Sequence, residues 1–412
     1  MKLHYGVPYW LDSVPRNQVP CYPKHNAHLD VDVAIVGGGL TGCATAYVFS
    51  AAGVRVGLFE TDHLATFNTG HSLGLLLQEP QIEFRGLVQL YGLHVARAIW
   101  KMARRSALDG AATLRRLKIR CGLTLQDDIQ IAITPEEASN LRNEYKARRS
   151  AGLAASWLGA TSIHREVGIL ATGGLQTRSN WQLNPYLAAL GLADAAIQRG
   201  AVVFEQSPVI KISGTKMGVE LHTERGTVAA RTVIVATGSA TRAFQPLRRH
   251  FKAMTTCLIM TEPLSPKIQK RLGRRRATLQ DVSASSHRLQ WMSNNRVMFA
   301  GADQPEVSKR RREKALLQRT EQLMHELSLL YPVISGYKAE YGWDAAFGLT
   351  RDGLPYIGPH RNYPRHLFAL GHGRNSLATA FLASRVLLRC YMDAPAKEDK
   401  LFGFGRPAIS NS

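Results

Sequence analysis

The chain has 412 residues, 45% of them hydrophobic and 20% charged, and 52 Lys and Arg against 31 Asp and Glu give it a formal net charge of +21. That length is generous for one core and comfortable for two, and the composition is that of a soluble globular protein. No apolar run reaches bilayer-spanning length, and the opening "MKLHYGVPYWLDSVP" lacks the apolar core of a signal peptide.

Five cysteines (Cys21, Cys43, Cys121, Cys257 and Cys390) are scattered singly, with no CxxC pair. An odd, dispersed set is expected of reduced thiols in the cytoplasm and gives no metal-ligand spacing. Two runs carry much of the charge, "RLGRRRA" at 271–277 and "SKRRREK" at 308–314. Such an excess attracts nucleic acid, an anionic membrane surface or an acidic partner; it also describes a solvated helix face and a basic loop. Aromatics do not interleave with the arginines, so a base-stacking platform is not indicated.

Residues 1–29, with four prolines, read as an extended leader. "VDVAIV" (31–36) is a continuous run of strand formers, suited to a strand buried on both faces. "GGGLTG" (37–42) follows, then the helix-length "CATAYVFSAA" (43–52) and a second strand, "VRVGLFE" (54–60). Residues 91–150 have helical texture, with Thr134 placed to cap a helix that begins at Pro135. "NPYLAALGLADAAIQRG" (184–200) is a further helix, and short strands follow to 238. The stretch 253–303 is β-rich but broken by the basic segment 265–276. A basic helix covers about 306–330, and the end reads strand, glycine turn, helix. These alternating textures predict two domains assembled from non-adjacent pieces.

The spacing Gly37-x-Gly39-x-x-Gly42, between a strand and a helix, is the dinucleotide fingerprint. The glycines allow the tight turn, the approach of a pyrophosphate and close helix–strand packing, and Leu40 and Thr41 open the helix whose N-terminus attracts the phosphates. Glu60, ending the next strand, is placed to accept ribose hydroxyls. Further blocks are "TVIVATGS" (232–239), "GWDAAFGLTRDGLPYIGP" (342–359) and "HLFALGHGRNS" (366–376).

Together with Tyr9-Trp10 and Asn184-Pro185, these blocks resemble the D-amino acid oxidase (DAO) superfamily of FAD-dependent oxidoreductases, a group that includes glycine and sarcosine oxidases, dimethylglycine dehydrogenase and gamma-glutamylputrescine oxidoreductases. The resemblance implies an α/β chain (α+β overall), with a Rossmann-like FAD-binding domain from 30–90, 175–241 and 343–412. It implies a second, mostly antiparallel sheet over the flavin from 91–174 and 242–342. It further implies that Val209 lies on a strand at the adenine side and that Thr237 and Gly238 contact FAD through their backbone. Asp352, Gly353, Pro355 and Gly358 would shape a loop on the flavin, and Gly371, His372, Gly373, Arg374, Asn375 and Ser376 would lead into a last helix aimed at its pyrimidine edge.

The activity implied is oxidation of the C–N bond of an amine or amino-acid-like substrate by hydride transfer to flavin N5, then imine hydrolysis, with O2 or another compound as acceptor. Departures bear on the substrate. Phe347 stands where amino-acid oxidases of the group carry a carboxylate-binding arginine, Arg351 replaces a proline, and Arg374 replaces a glycine. His287, Arg288, Arg351 and Arg374 are therefore the candidate substrate contacts. In "FNTGHSLG" (67–74), His71 and Ser72 align with family segments at the flavin, Gly70 and Gly74 would let the backbone pass the flavin ring, and His71 falls where dimethylglycine dehydrogenase relatives bond a histidine to the cofactor. Two rival readings follow from the charge: action on an amine carried by a tRNA, and a non-catalytic flavoprotein that docks on a partner.

Overall fold

The computed structural model describes residues 4–274, 277–283 and 286–406; Arg275 and Arg276 of the first basic run lie outside these. The leader is not a plain extended arm. It adds a short parallel strand, His4–Tyr5, to the edge of a sheet, and Pro8 starts a helical turn, α1 (Tyr9–Asp12), which buries Trp10.

The main elements run in this order. β1 (His28–Val36), α2 (Leu40–Ala51) and β2 (Val56–Phe59) form the expected βαβ unit, followed by α3 (Asn68–His71) and α4 (Phe84–Arg116). β3 (Thr124–Ala132), α5 (Pro135–Ser150), β4 (Gly173–Gln182), α6 (Pro185–Ile197) and β5 (Val202–Phe204) come next. Then follow β6 (Thr227–Gly238), β7 (Lys252–Thr261), β8 (Ala277–Asp281), β9 (Arg288–Trp291) and β10 (Val297–Pro305). The chain closes with α7 (Lys309–Leu330), β11 (Ala339–Leu349), β12 (Tyr356–His360), β13 (Tyr363–Leu370) and α8 (Ser376–Tyr391).

The helical texture expected over 91–150 is interrupted. Thr124–Ala132 is a strand because its alternate residues Ile129 and Ile131 are buried between neighbouring strands and the helices beneath. Local chemistry does set the helix starts. Thr134 Oγ accepts from Glu137 N (3.2 Å) while Glu137 accepts from Thr134 N (3.0 Å), a capping box with Pro135 behind it. Asn184 caps α6 in the same sense, accepting from Leu187 N at 3.1 Å.

Two mixed sheets result. The first has the order β12-β13-β6-β1-β2-β5, parallel from β13 to β5, with the hairpin Lys211–Gly214/Val219–His222 attached to β6. Val33 and Ile35 of β1 point toward α2, α6 and α8, while Ala34 points to a cluster closed by the hairpin. The second sheet runs β11-β7-β10-β9-β8-β3-β4 and is antiparallel except between β8 and β3 and at the leader strand. Residues 175–182 and 343–349, assigned by sequence to the FAD-binding part, thus build strands β4 and β11 of this second sheet. Side chains alternate along β7: Cys257 and Ile259 face α7, whereas Leu258 and Met260 join the core shared with the first sheet. No helix among the described residues is long and apolar enough to cross a membrane.

Candidate functional site

A cavity of about 570 Å3 lies where the carboxyl ends of β1 and β6 meet the inner face of the second sheet, as expected of ligand sites in parallel α/β sheets. Gly37, Gly39, Leu40 and Thr41 line one end. Gly42 does not reach the cavity: a Cβ there would stand 1.9 Å from the Gly37 carbonyl oxygen, so its role is to let α2 start against the turn. Glu60 is buried and lines the same end, its carboxylate accepting from Gly38 N (2.6 Å) and Asp62 N (3.0 Å). Burial raises its pKa, and these backbone N–H groups oppose the rise. Thr69 Oγ accepts from Leu40 N at 2.9 Å, bringing the segment after β2 onto the first turn of α2. Ala236, Thr237, Gly238 and Ser239, at the end of β6, complete this end. The donor set fits an adenine dinucleotide: helix N–H groups for the phosphates and a carboxylate for the ribose hydroxyls.

The other end is walled by the second sheet. Met254, Thr256 and Leu258 of β7 share one face by strand alternation, joined by Ala300 of β10 and 345–348 of β11. The turn before α8 closes it with His372, Gly373, Arg374, Ser376 and Leu377. His372 is buried, with its ring nitrogens engaged by Thr379 Oγ and the Ala369 carbonyl (both 3.1 Å), and burial drives its pKa down to about 4. It is neutral at physiological pH and is held as a structural part of the turn.

Arg288 and Arg374 both reach this end of the cavity and together line a small recess beside Ser72 and Leu73. Arg288 is fixed by Asp128 (2.7 Å) and Gln280. Arg374 pairs with Asp303, its backbone N–H donates to Gln81 (3.0 Å), and its guanidinium lies 5.8 Å from the Phe347 ring centroid. Burial, and then the neighbouring Arg288, lower the Arg374 pKa to about 10, so it is charged near neutrality.

Several expected site residues lie elsewhere. His71 does not reach the cavity; Phe67, Asn68, Thr69, Ser72 and Leu73 do. Its ring turns to β11, with Nδ1 2.7 Å from the Asp344 carbonyl oxygen, and Trp343 Nε1 donates to its own carbonyl at 2.9 Å. Burial lowers its pKa, against the pull of the Asp344 and Thr66 carbonyls. Nor do Gly70 and Gly74 make room for a cofactor ring: a Cβ at Gly70 would meet Leu11 at 2.7 Å, and one at Gly74 would meet Leu183 O at 2.3 Å and Trp10 at 2.9 Å.

His287 sits opposite Arg288 in the strand alternation and points away, bonded to Asp281 (2.6 Å) and Glu326 of α7 (2.9 Å). Burial lowers its pKa, but the two carboxylates outweigh that and leave it raised. Arg351 is exposed in the loop after β11. Asp352 is a buried anchor: Arg406 Nε lies 2.6 Å away and Tyr91 donates at 2.5 Å. Its neighbour Gly353 abuts Ile82, and Gly358 lies within β12. Val209 lies in the connection after β5, not on a strand, and packs beneath the hairpin. Gly371 donates its N–H to Gly238 O (2.9 Å), tying the turn to β6, and Asn375 faces Glu79 O (3.4 Å). Sequence reasoning missed Thr69, Thr256, Met254 and Leu258; the alternation in "MTTCL" (254–258) is the signal that marks three of them.

The family model described as FAD dependent oxidoreductase (DAO) matches residues 32–389. The gamma-glutamylputrescine oxidoreductase of Escherichia coli is 26% identical over 381 residues, covering 90% of this chain and 86% of that protein. The glycine oxidase of Geobacillus kaustophilus is 28% identical over 355 residues, covering 84% and 89%. In three dimensions, the crystal structure of glycine oxidase from Geobacillus kaustophilus superposes with a TM-score of 0.76 at 22% identity, over 92% of this chain and 100% of that one. The family model spans both the fingerprint and the glycine turn ahead of α8, and the chain belongs to the DAO family of FAD-dependent oxidoreductases.

Proposed function

We propose that this oxidoreductase acts on the C–N bond of an amine that also carries an acidic group, and that Arg288 and Arg374 hold the acid. The observation that carries this reading is the pair of guanidinium groups at the second-sheet end of the cavity, opposite the fingerprint. The charge missing at Phe347 returns from Arg374, beside the Phe347 ring. Glycine and gamma-glutamylputrescine, the compounds in the names of two relatives, each join an amine to a carboxylate.

When bound, FAD supplies a two-electron acceptor for the C–H bond next to the substrate nitrogen. The chain's part is to fix the acid with two guanidinium groups and to surround the reacting carbon with Met254, Leu258, Ala300 and Phe347, which exclude water. We assign the cofactor to the parallel sheet and the substrate wall to the second sheet. We also assign FAD a non-covalent mode, because the His71 ring is bonded to the β11 backbone and does not line the cavity. Acid precipitation should leave the yellow colour in the supernatant; colour retained in the pellet would show a covalent link.

The decisive experiment is anaerobic mixing of the holoenzyme with amines, with and without an acid group. Acid-bearing amines should bleach the flavin's visible absorbance, and their neutral amides should not. Equal bleaching by both would remove the role of the arginine pair. Admitting air then separates an oxidase, which reoxidises quickly, from a dehydrogenase.

A further inference from the structure

A second cavity, of about 590 Å3, lies between α4 and the C-terminal half of α8. Arg97, Lys101 and Arg105 contribute from one face of α4, at the four-residue spacing that aligns side chains along a helix. Arg385 and Arg389, four apart on α8, face them, and Glu398 is the one acid lining the cavity among the described residues. Ala98, Met102 and Leu382 make an apolar floor.

The internal neutralisation is incomplete. Asp109 is shared between Arg105 (2.9 Å) and Arg385, and Asp399 holds Arg389 in a fork at 2.6 and 2.8 Å. With Glu398 counted, five cations meet three carboxylates. Among the described residues, the side chains of Arg97 and Lys101 have no hydrogen-bond or ionic partner. Arg385 is half-buried between the like charges of Arg105 and Arg389, and burial followed by those charges lowers its pKa. The cost of gathering these charges is relieved by an anion, and guanidinium forks match phosphate oxygens two at a time. The volume is that of a small-molecule site.

We propose that this cavity binds a small phosphate-bearing anion of at least two negative charges, at a site separate from the FAD and substrate cavity. The anion lies among Arg97, Lys101 and Arg385, with any apolar portion on Met102 and Leu382.

The test is calorimetric titration of the FAD-saturated holoenzyme with inorganic pyrophosphate at fixed ionic strength. One site per chain is expected. The double variant Arg97→Ala/Lys101→Ala, altered only at exposed side chains, should weaken binding about tenfold or more, and Arg97→Lys/Lys101→Arg should retain it. Arg374→Ala should bind pyrophosphate as the parent does. No binding, binding indifferent to the double alanine variant, or binding lost in Arg374→Ala would each overturn the proposal. So would retention by vesicles containing phosphatidic acid without any pyrophosphate binding, which would make the patch a membrane-facing surface instead.

Discussion

At Arg374 burial and a neighbouring like charge pull in the same direction. The side chain is drawn from water beside Arg288, and its pKa falls to about 10, yet Asp303 and the contact with Gln81 keep it in place. A cation with a lowered pKa is fully charged well below that value and loses its charge as pH rises through it. The KM for an acid-bearing amine should therefore climb as pH passes about 10. In Arg374→Ala that climb should vanish, and KM should already be raised about 10- to 100-fold near neutrality, the loss expected of a charge-assisted contact. Steady-state kinetics with saturating FAD would show this; a KM that rises identically in both proteins would assign the titration to another group. Arg374 was legible in the sequence as a departure within "GHGRNS", because that turn is local. Its partner Asp303 was not, since 71 residues separate the two and only the pairing of β10 with β7 and β9 brings Asp303 to the turn.

Among the elements, the leader and the segment 67–74 depend on each other most directly. Trp10 is buried, and its Nε1 donates to Ser72 O at 2.8 Å, while its ring occupies the space that Gly74 leaves. As sequence, two glycines around His71 suggest room for a ligand; in the fold they are room for Leu11 and Trp10. The difference arises because a leader with four prolines carries no periodicity that reveals its docking place, whereas the glycine fingerprint needs only the elements on either side of it. Truncating a buried Trp costs about 3–5 kcal/mol, so Trp10→Ala should lower unfolding stability by that order. It should also weaken FAD binding, because Phe67, Asn68, Thr69, Ser72 and Leu73 line the cavity. Trp10→Phe keeps most of the packing and loses one hydrogen bond, about 1 kcal/mol. Urea unfolding and FAD titration of the two variants would check this; a destabilised Trp10→Ala with unchanged FAD affinity would mean that the leader does not hold the segment.

On the scale of the molecule, the two sheets are not two independent bodies. One core joins Val33, Ile35 and Ile234 of the first sheet to Leu258, Met298 and Trp343 of the second and to Ala383 and Leu387 of α8. The chain passes repeatedly between the sheets: β4 belongs to the second, β5 and β6 to the first, β7 to β11 to the second, and β12 and β13 to the first again. The sequence textures announce two parts, but they carry no sign that the inner faces share one apolar layer, because burial against a partner sheet and burial under helices look alike in a run of Val, Ile and Leu. Separating the sheets would expose Trp343, wholly buried at their junction, together with the strands around it. The FAD-free protein should therefore unfold in urea as one transition, with far-ultraviolet and near-ultraviolet dichroism coinciding. FAD at the seam should move that whole transition, by about 2.7 kcal/mol at a hundredfold excess over its dissociation constant. A first transition that responds to FAD and a second that does not would show that the parallel sheet unfolds alone, and the shared core would then be too weak to couple the two.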